Sequence, residues 1–278
     1  MAGIHNVLIG ADGAKQVTIN VLSGTNNYVL NTAKVSGYVP GSANVTLIIN
    51  SGVTIGSTST SQPALSVDSS WAPGDVITII NNGLIIGKGG KGGNGSSYPS
   101  YGTWPTPGES GGAGLLVSYP VTITNNGTIG GGGGGGGGGC AVGFNQTTLS
   151  GGGGGGAGFG SRGIGRQTIG TSTEIVIAAG SASTSGSSIS GGAGEVTPTI
   201  RVMTESDGPT IIKGGSGGNG GGLGAPGGSG GPASNSLGIG GWRDPNNRAG
   251  AGGAGGPAVS GNSNITWITT GTRLGAIV

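Results

Sequence analysis

A chain of 278 residues with 73 glycines, 13 prolines, 7% charged residues and a net charge of +2 has no basic stripe for nucleic acid. No apolar run approaches the roughly 20 residues of a membrane-spanning helix. One cysteine and one histidine exclude an internal disulfide framework and a multi-cysteine metal site, and give no basis for a Ser-His-acid set.

The start, "MAGIHNVLIGADG", lacks the basic n-region and apolar core of a secretory signal. "VLIGADGAKQVTINVL" and "YVLNTAKVSGY" read as short strands of an attachment or capping layer, with His5 an ordinary surface or β-layer residue. A repeat follows. "VTLIINSGVTIG" (45–56), "VITIINNGLIIG" (76–87), "VTITNNGTIG" (121–130) and "ITWITTGTRLG" (265–275) share one pattern, and "IRVMTESDGPTIIKGG" (200–215) is a degenerate fifth copy. Each has an alternating β-branched stretch, a polar turn and a second short apolar stretch. Asn-Gly between alternating hydrophobics is a strong hairpin signal, because both residues tolerate positive φ. The expectation is a layer of short β-hairpins with Trp71 and Trp267 in its core. Asp75, after a Pro-Gly pair, and Asp207, in a hairpin turn, need no more than Asx-type bonding to explain them.

Glycine tracts come next. In "KGGKGGNG" Lys88, Lys91 and Asn94 fall on every third residue; Ser216 and Asn219 keep the same phase, as do Ala251, Ala254 and Pro257. A slack linker has no reason to keep such a phase. A threefold extended helix has three residues per turn, so its non-glycines line one edge and leave two edges bare for close neighbours. Fixing the ten-glycine run of 130–139 costs ~10–20 kcal/mol. Bonds worth ~0.5–1.5 kcal/mol net each offset that only if almost every group is paired. The run is therefore expected to be an element of a packed array of polyglycine II helices, not a tether. The whole reads as mostly β and irregular, with essentially no α-helix. It divides into a β-rich base, 1–86, and a polyglycine II sandwich with tip loops, 87–278.

The phrases "GGAGLLVS", "GGAGEVTP" and "GGPAVSGN" each mark a return from the array to a new hairpin. That places tip loops at 96–107, in part of 140–190, and at 234–248. Aromatics are rare here, yet "SSYPSYGTWPTPGE" gathers Tyr98, Tyr101 and Trp104. Tyr and Trp offer large contact area with little rotamer entropy to lose. "CAVGFNQTT" adds Phe144, Asn145 and Gln146, and "GGWRDPNNR" adds Trp242, Arg243, Asp244, Asn246, Asn247 and Arg248. For Trp104 and Trp242 two readings stay open: contact with a receptor, or capping of the array ends.

The "NNGxIxG" copies, the glycine runs, "GGPAVSGNSNITW", the closing "GTRLGAIV" and residues 51–90 together resemble the glycine-rich receptor-recognition modules of tailed phages. Those modules occur in distal tail-fibre adhesins of the T-even-like type and in related tail-tip proteins. The resemblance spans roughly residues 45–278. It implies a sandwich of polyglycine II helices whose variable far loops contact an outer-membrane protein or surface glycan of the host bacterium. It also implies a place on the virion, with the amino-terminal region held by a tail-fibre or tail-tip protein; homo-oligomers are compatible with it. Residues 1–44 depart from those adhesins, whose amino-terminal region is a Trp-containing attachment domain.

Other chemistries fit poorly. No tract supplies the Asp of calcium-binding "GGxGxD" repeats, and "GKGGKGGNG" lacks the Lys-Ser/Thr and helix of a phosphate loop. No cofactor, metal or enzymatic activity is expected. The rival readings are a tail-tip cap or connector without its own receptor, an ice-binding protein presenting a regular face, and an intrinsically disordered adhesive.

Overall fold

The computed structural model describes residues 5–9, 15–96, 104–144, 147–168, 174–178, 183–197, 199–204, 208–236, 242–243 and 248–278. Among these, strands and irregular extended segments dominate; the helical residues are two short 3-10 turns, Thr32–Lys34 and Asn262–Asn264. Two compact units form. One comprises Met1–Lys88, Gly112–Gly131 and Gly256–Val278; the other Gly89–Gly111 and Gly132–Gly255. Residues 112–131 and 256–278, grouped with the glycine tracts in the two-domain expectation, thus pack with residues 1–88.

The first unit is a three-faced parallel β-solenoid. Its coils begin with strands Lys15–Val21, Ala43–Ile49, Val76–Asn81, Val121–Asn125 and Ile265–Thr269, which pair in parallel in that order. Each coil then contributes to a second face (Thr25–Asn26, Thr54–Gly56, Leu84–Ile86, Thr128–Gly130, Thr272–Leu274). The third face is Tyr28–Leu30, Leu65–Val67, Leu115–Val117 and Val259–Ser260, with Val259 also bridging Ile277. Antiparallel strand His5–Ile9 covers the edge of Lys15–Val21. Alternate side chains point inward, so like residues stack along the solenoid: Ile19, Leu47, Ile79, Ile123 and Trp267 stand in one register. Trp71 is buried against this core and donates to Leu30 O at 3.4 Å, while Trp267 packs partly buried on it.

The sequence repeat is therefore not a layer of hairpins. The two strands of each copy lie on different faces and pair with their counterparts in the neighbouring copies. The Asn residues decide this locally. Asn81 Oδ1 accepts the Gly83 N–H at 3.1 Å, an Asx turn that bends the chain round a corner instead of reversing it. Positive φ, which a hairpin turn of Asn-Gly type requires, falls at neither Gly83 nor Gly127. Gly52 and Gly271, in the first and fourth copies, do hold it, yet their flanking strands also lie on different faces. The second strand of each copy, three residues long, gains more from stacking in a shared core than from a hairpin of its own. The expected fifth copy belongs to the other unit, where Thr199–Thr204 and Gly208–Lys213 do form an antiparallel hairpin.

The second unit is an array of glycine-rich segments joined by backbone hydrogen bonds with a three-residue repeat, that of a helix with three residues per turn. In the central run the N–H groups of Gly133 and Gly136 reach Ala157 and Gly154. Those of Gly134 and Gly137 reach Ala225 and Gly228, and those of Gly135 and Gly138 reach Glu109 and Thr106. The carbonyls accept from Gly90 and Gly93, from Gly221 and Gly218, and from Gly253 and Gly250, with all these bonds at 2.7–3.0 Å. Every N–H and C=O from Gly133 to Gly138 is thus paired, to six surrounding segments. The bonds arrange ten segments in three rows: 160–165, 89–95 and 105–111; then 183–188, 151–157, 132–140 and 249–255; then 190–196, 214–222 and 225–233. The glycine run is an element because its neighbours satisfy it. At Gly134 and Gly137 a Cβ would overlap the carbonyls of Gly253 and Gly250, so no other residue fits there.

Candidate functional site

Two ends of the array differ. Gly89, Gly111, Gly132 and Gly255, where the chain enters or leaves the unit, lie at one end, as do the turns at 157–159 and 222–225, tied by bonds such as Gly89 N to Gly158 O. The opposite end, marked by Asn94, Gly139, Gly151, Gly215 and Gly250, carries the longer connections. Two antiparallel sheets grow from it. Val142–Phe144 pairs with Thr147–Ser150 and with Trp242–Arg243, and Thr147–Ser150 with Arg166–Thr168. Glu174–Ala178, Thr199–Thr204, Gly208–Lys213 and Ser234–Ser236 form the second sheet. Cys140, Val142, Leu149, Ile212 and Ala233 make a small buried core beneath them. Cys140 is thus a core residue.

Described portions of all three predicted tip loops, at residues 104–107, 142–150 and 242–243 with 248, lie at this end. Gly143 stands opposite Trp242 and Val142 opposite Arg243 in the strand register, which joins the second loop to the third. The first joins the third through Arg248, whose guanidinium carbon sits 3.7 Å from the centroid of the Trp104 ring. Trp104 remains 47% exposed, so one side of the ring is covered by the cation and part of the rest is open. Below the stack, Asn94 N–H donates to Thr106 Oγ1 at 2.8 Å and Thr106 N–H to Asn94 O at 2.9 Å. That reciprocal pair closes the neck of the first loop. Phe144, Trp242 and Arg243 are placed on strands by their backbone. Tyr98, Tyr101, Asn145, Gln146, Asp244, Asn246 and Asn247 lie outside the described residues, as does Asp207.

Reading the sequence found the hairpin of the second sheet but missed its outer strand Glu174–Ala178 and the strand Arg166–Thr168 of the first sheet, because neither stretch carries an aromatic or a glycine run. It also missed Phe159, at the other end, which holds φ 61° and is 56% exposed. A bulky residue at positive φ is strained; its setting between two glycines was the available sign.

Among the carboxylates whose burial is described, Asp75 is the most enclosed and does structural work. It accepts from Tyr38 Oη at 2.5 Å, from Ala72 N–H at 2.8 Å and from Ala43 N–H at 3.0 Å. Burial pushes its carboxyl up, but the hydrogen bonds from Tyr38 and from the Ala43, Ala72 and Gly41 backbone together hold it below the usual carboxylate range. Burial, and then the bond to Asp75, push the Tyr38 phenol up. Among the described residues no group of three His, Cys, Asp or Glu is placed to hold a metal ion.

The model of the family described as phage tail fibre adhesin Gp38 matches residues 16–278. Among solved structures, the crystal structure of the gp37-gp38 adhesin tip complex of the bacteriophage S16 long tail fibre is similar, with a TM-score of 0.54 and 21% identity, covering 94% of this chain and 82% of that one. At that identity the likeness is one of fold. No curated protein matches the chain. A match over nearly the whole length, on a fold of solenoid and glycine array, makes this chain a member of the phage tail fibre adhesin Gp38 family.

Proposed function

We propose that the chain recognises a host bacterium through the loops at the sheet-bearing end of its glycine array, binding an outer-membrane protein or a surface glycan. The observation that carries this reading is the convergence of three sequence-distant segments, at Trp104, at Val142–Gly143 and at Trp242–Arg243 with Arg248, on one end of a scaffold whose central run is fully hydrogen-bonded. Polyglycine II packing would make that scaffold rigid, so the loops can differ without disturbing the fold. The contacts are assigned to Tyr98, Tyr101, Trp104, Phe144, Asn145, Gln146, Trp242, Arg243, Asp244, Asn246, Asn247 and Arg248. Recognition is by shape and contact, without chemistry on the receptor.

The solenoid is assigned the attachment to a tail-fibre protein at the virion, through its first coil. The S16 structure is a complex of gp38 with gp37, and here the first coil offers a groove of about 460 Å³ lined by residues that include Leu22, Asn27, Tyr28 and Lys34. Among the described residues, strands Thr25–Asn26 and Tyr28–Leu30 are the last of their sheets on that side, edges of the kind that strand addition uses.

Binding of the purified protein to whole cells of a panel of Gram-negative strains tests the receptor assignment. The comparison is a variant with Tyr98, Tyr101 and Trp104 changed to Ser and Trp242 to Gly. Strain-selective binding, lost in a still-folded variant, is expected. The Arg248–Trp104 stack also favours a second reading, a cap or connector in which the aromatics close the array; uniform absence of binding by the wild type would select it.

A further inference from the structure

We infer that Trp104 and Arg248 act as a staple that makes the receptor-binding end one composite site, so that specificity belongs jointly to its loops and not to each alone. This rests on the receptor-binding reading above. The two residues root neighbouring segments of the array: Gly108 N–H donates to Ala251 O and Gly111 N–H to Ala254 O, both at 2.9 Å. Trp104 stands two residues before Thr106, which locks the neck of its loop to Asn94. Arg248 stands at the end of a stretch whose other end, Trp242–Arg243, is strand-paired to Gly143 and Val142. Val142 is in turn fixed in the small core with Leu149 and Ile212. The ring and the guanidinium therefore tie the root of the first loop to the root of the third, and the strand pairing of Trp242–Arg243 ties the third to the second.

The chemistry of the pair suits this task. Arg stacks on an indole face through a planar, delocalised cation, a geometry that a Lys ammonium does not reproduce. The pair lies at an exposed surface rather than in the core, so losing it leaves the array intact. What it fixes is the mutual placement of the two loop roots, and a misplacement of about 1 Å weakens recognition of any multi-point ligand.

Two measurements test the staple, one of them independent of any receptor. The first is the rate of chymotrypsin cleavage of the Tyr101–Gly102 bond in the purified protein, compared for wild type, Arg248→Ala and Arg248→Lys. The staple predicts faster cleavage in Arg248→Ala, with Arg248→Lys between, although the substitution is far away in sequence and the melting temperature is unchanged. Equal rates in all three would overturn it. The second is a double-mutant cycle on cell binding with Trp104→Ala, Arg248→Ala and both. Each single change is expected to weaken binding by about 5- to 30-fold, and the double change no further, because either one opens the staple. Losses that multiply would show two separate receptor contacts and overturn the inference. If wild type binds no strain, the receptor reading fails, and the cleavage rates still decide the staple.

Discussion

Asn81 donates from Nδ2 to Asn125 Oδ1 at 2.8 Å, and both side chains are turned into the solenoid core with essentially no exposure. Asn125 passes the ladder on by donating to Thr270 O at 2.7 Å. Outside, Asn126 repeats the step by donating to Asn82 Oδ1 at 2.9 Å, in water. Removing one partner of a buried pair leaves the other unsatisfied at a cost of about 1–3 kcal/mol, whereas exposed pairs contribute little. Asn125→Ala is expected to lower unfolding stability by about 1–3 kcal/mol and Asn126→Ala by under about 0.5 kcal/mol. Urea midpoints at constant slope measure both, and equal shifts would show that the inner ladder carries no special weight.

The same pair explains what could be read from the sequence and what could not. The four "NNG"-like copies announced strands with one buried face, and burial follows that alternation in Ala43–Ile49 and Val121–Asn125. Their pairing was not legible, because Asn-Gly between hydrophobics is compatible with a reversing turn or with a corner. The choice depends on whether the Asn side chain finds a partner in the next coil, a contact between residues 44 positions apart. The glycine phase was legible for a different reason: Lys88, Lys91 and Asn94 keep the period of the array bonds themselves. At the sheet-bearing end of the array composition singled out the candidate segments, but the Arg248–Trp104 contact joins two of them through space and leaves no trace in spacing.

Asp75 sets an acid limit on the solenoid. A carboxylate held below its ordinary value contributes stability that is complete above the unfolded-state value near ~3.9 and is lost as pH falls through the lower folded-state value. Asp75 is such a group, because its hydrogen bonds outweigh its burial. Asp75→Asn should therefore lower stability at neutral pH and flatten the fall on the acid side. Tyr38→Phe removes the side-chain bond and should act in the same direction, more weakly. Unfolding titrations from pH 3 to 7 measure the slope; an unchanged acid limb in Asp75→Asn would assign acid sensitivity to other groups.

Attachment through the first coil predicts an asymmetry between the ends of the solenoid. Leu22, 53% exposed, lines the groove there, and Ile268, 64% exposed, lies on the last coil. Leu22→Asp should abolish co-purification with the tail-fibre protein, while Ile268→Asp leaves it intact. The reverse pattern would move the attachment face to the carboxy-terminal coil. Both residues are already in water, so neither change is expected to shift the melting temperature by more than about 2–4 °C.

Glycines in the array are not equivalent, and two of them separate space from composition. A Cβ on Gly136, in the paired central run, would overlap the carbonyl of Gly218, a backbone atom that cannot rotate away. A Cβ on Gly228, in an outer row, would meet its nearest neighbour, Asn219 N, at 3.5 Å, an ordinary contact. Both glycines donate backbone bonds, to Gly154 and Asn219, so hydrogen bonding does not distinguish them. Alanine also restricts the unfolded chain, which stabilises by about 0.4–1 kcal/mol where the native conformation accepts it. Gly228→Ala should therefore be neutral or stabilising by up to about 1 kcal/mol. Gly136→Ala must push two rows apart and should cost about 3 kcal/mol or more, at the top of the range for overpacking. Thermal unfolding of the two variants side by side measures the contrast. Equal destabilisation would mean that glycine is needed throughout for its backbone freedom; equal tolerance would mean that the rows are looser than their 2.7–3.0 Å bonds require.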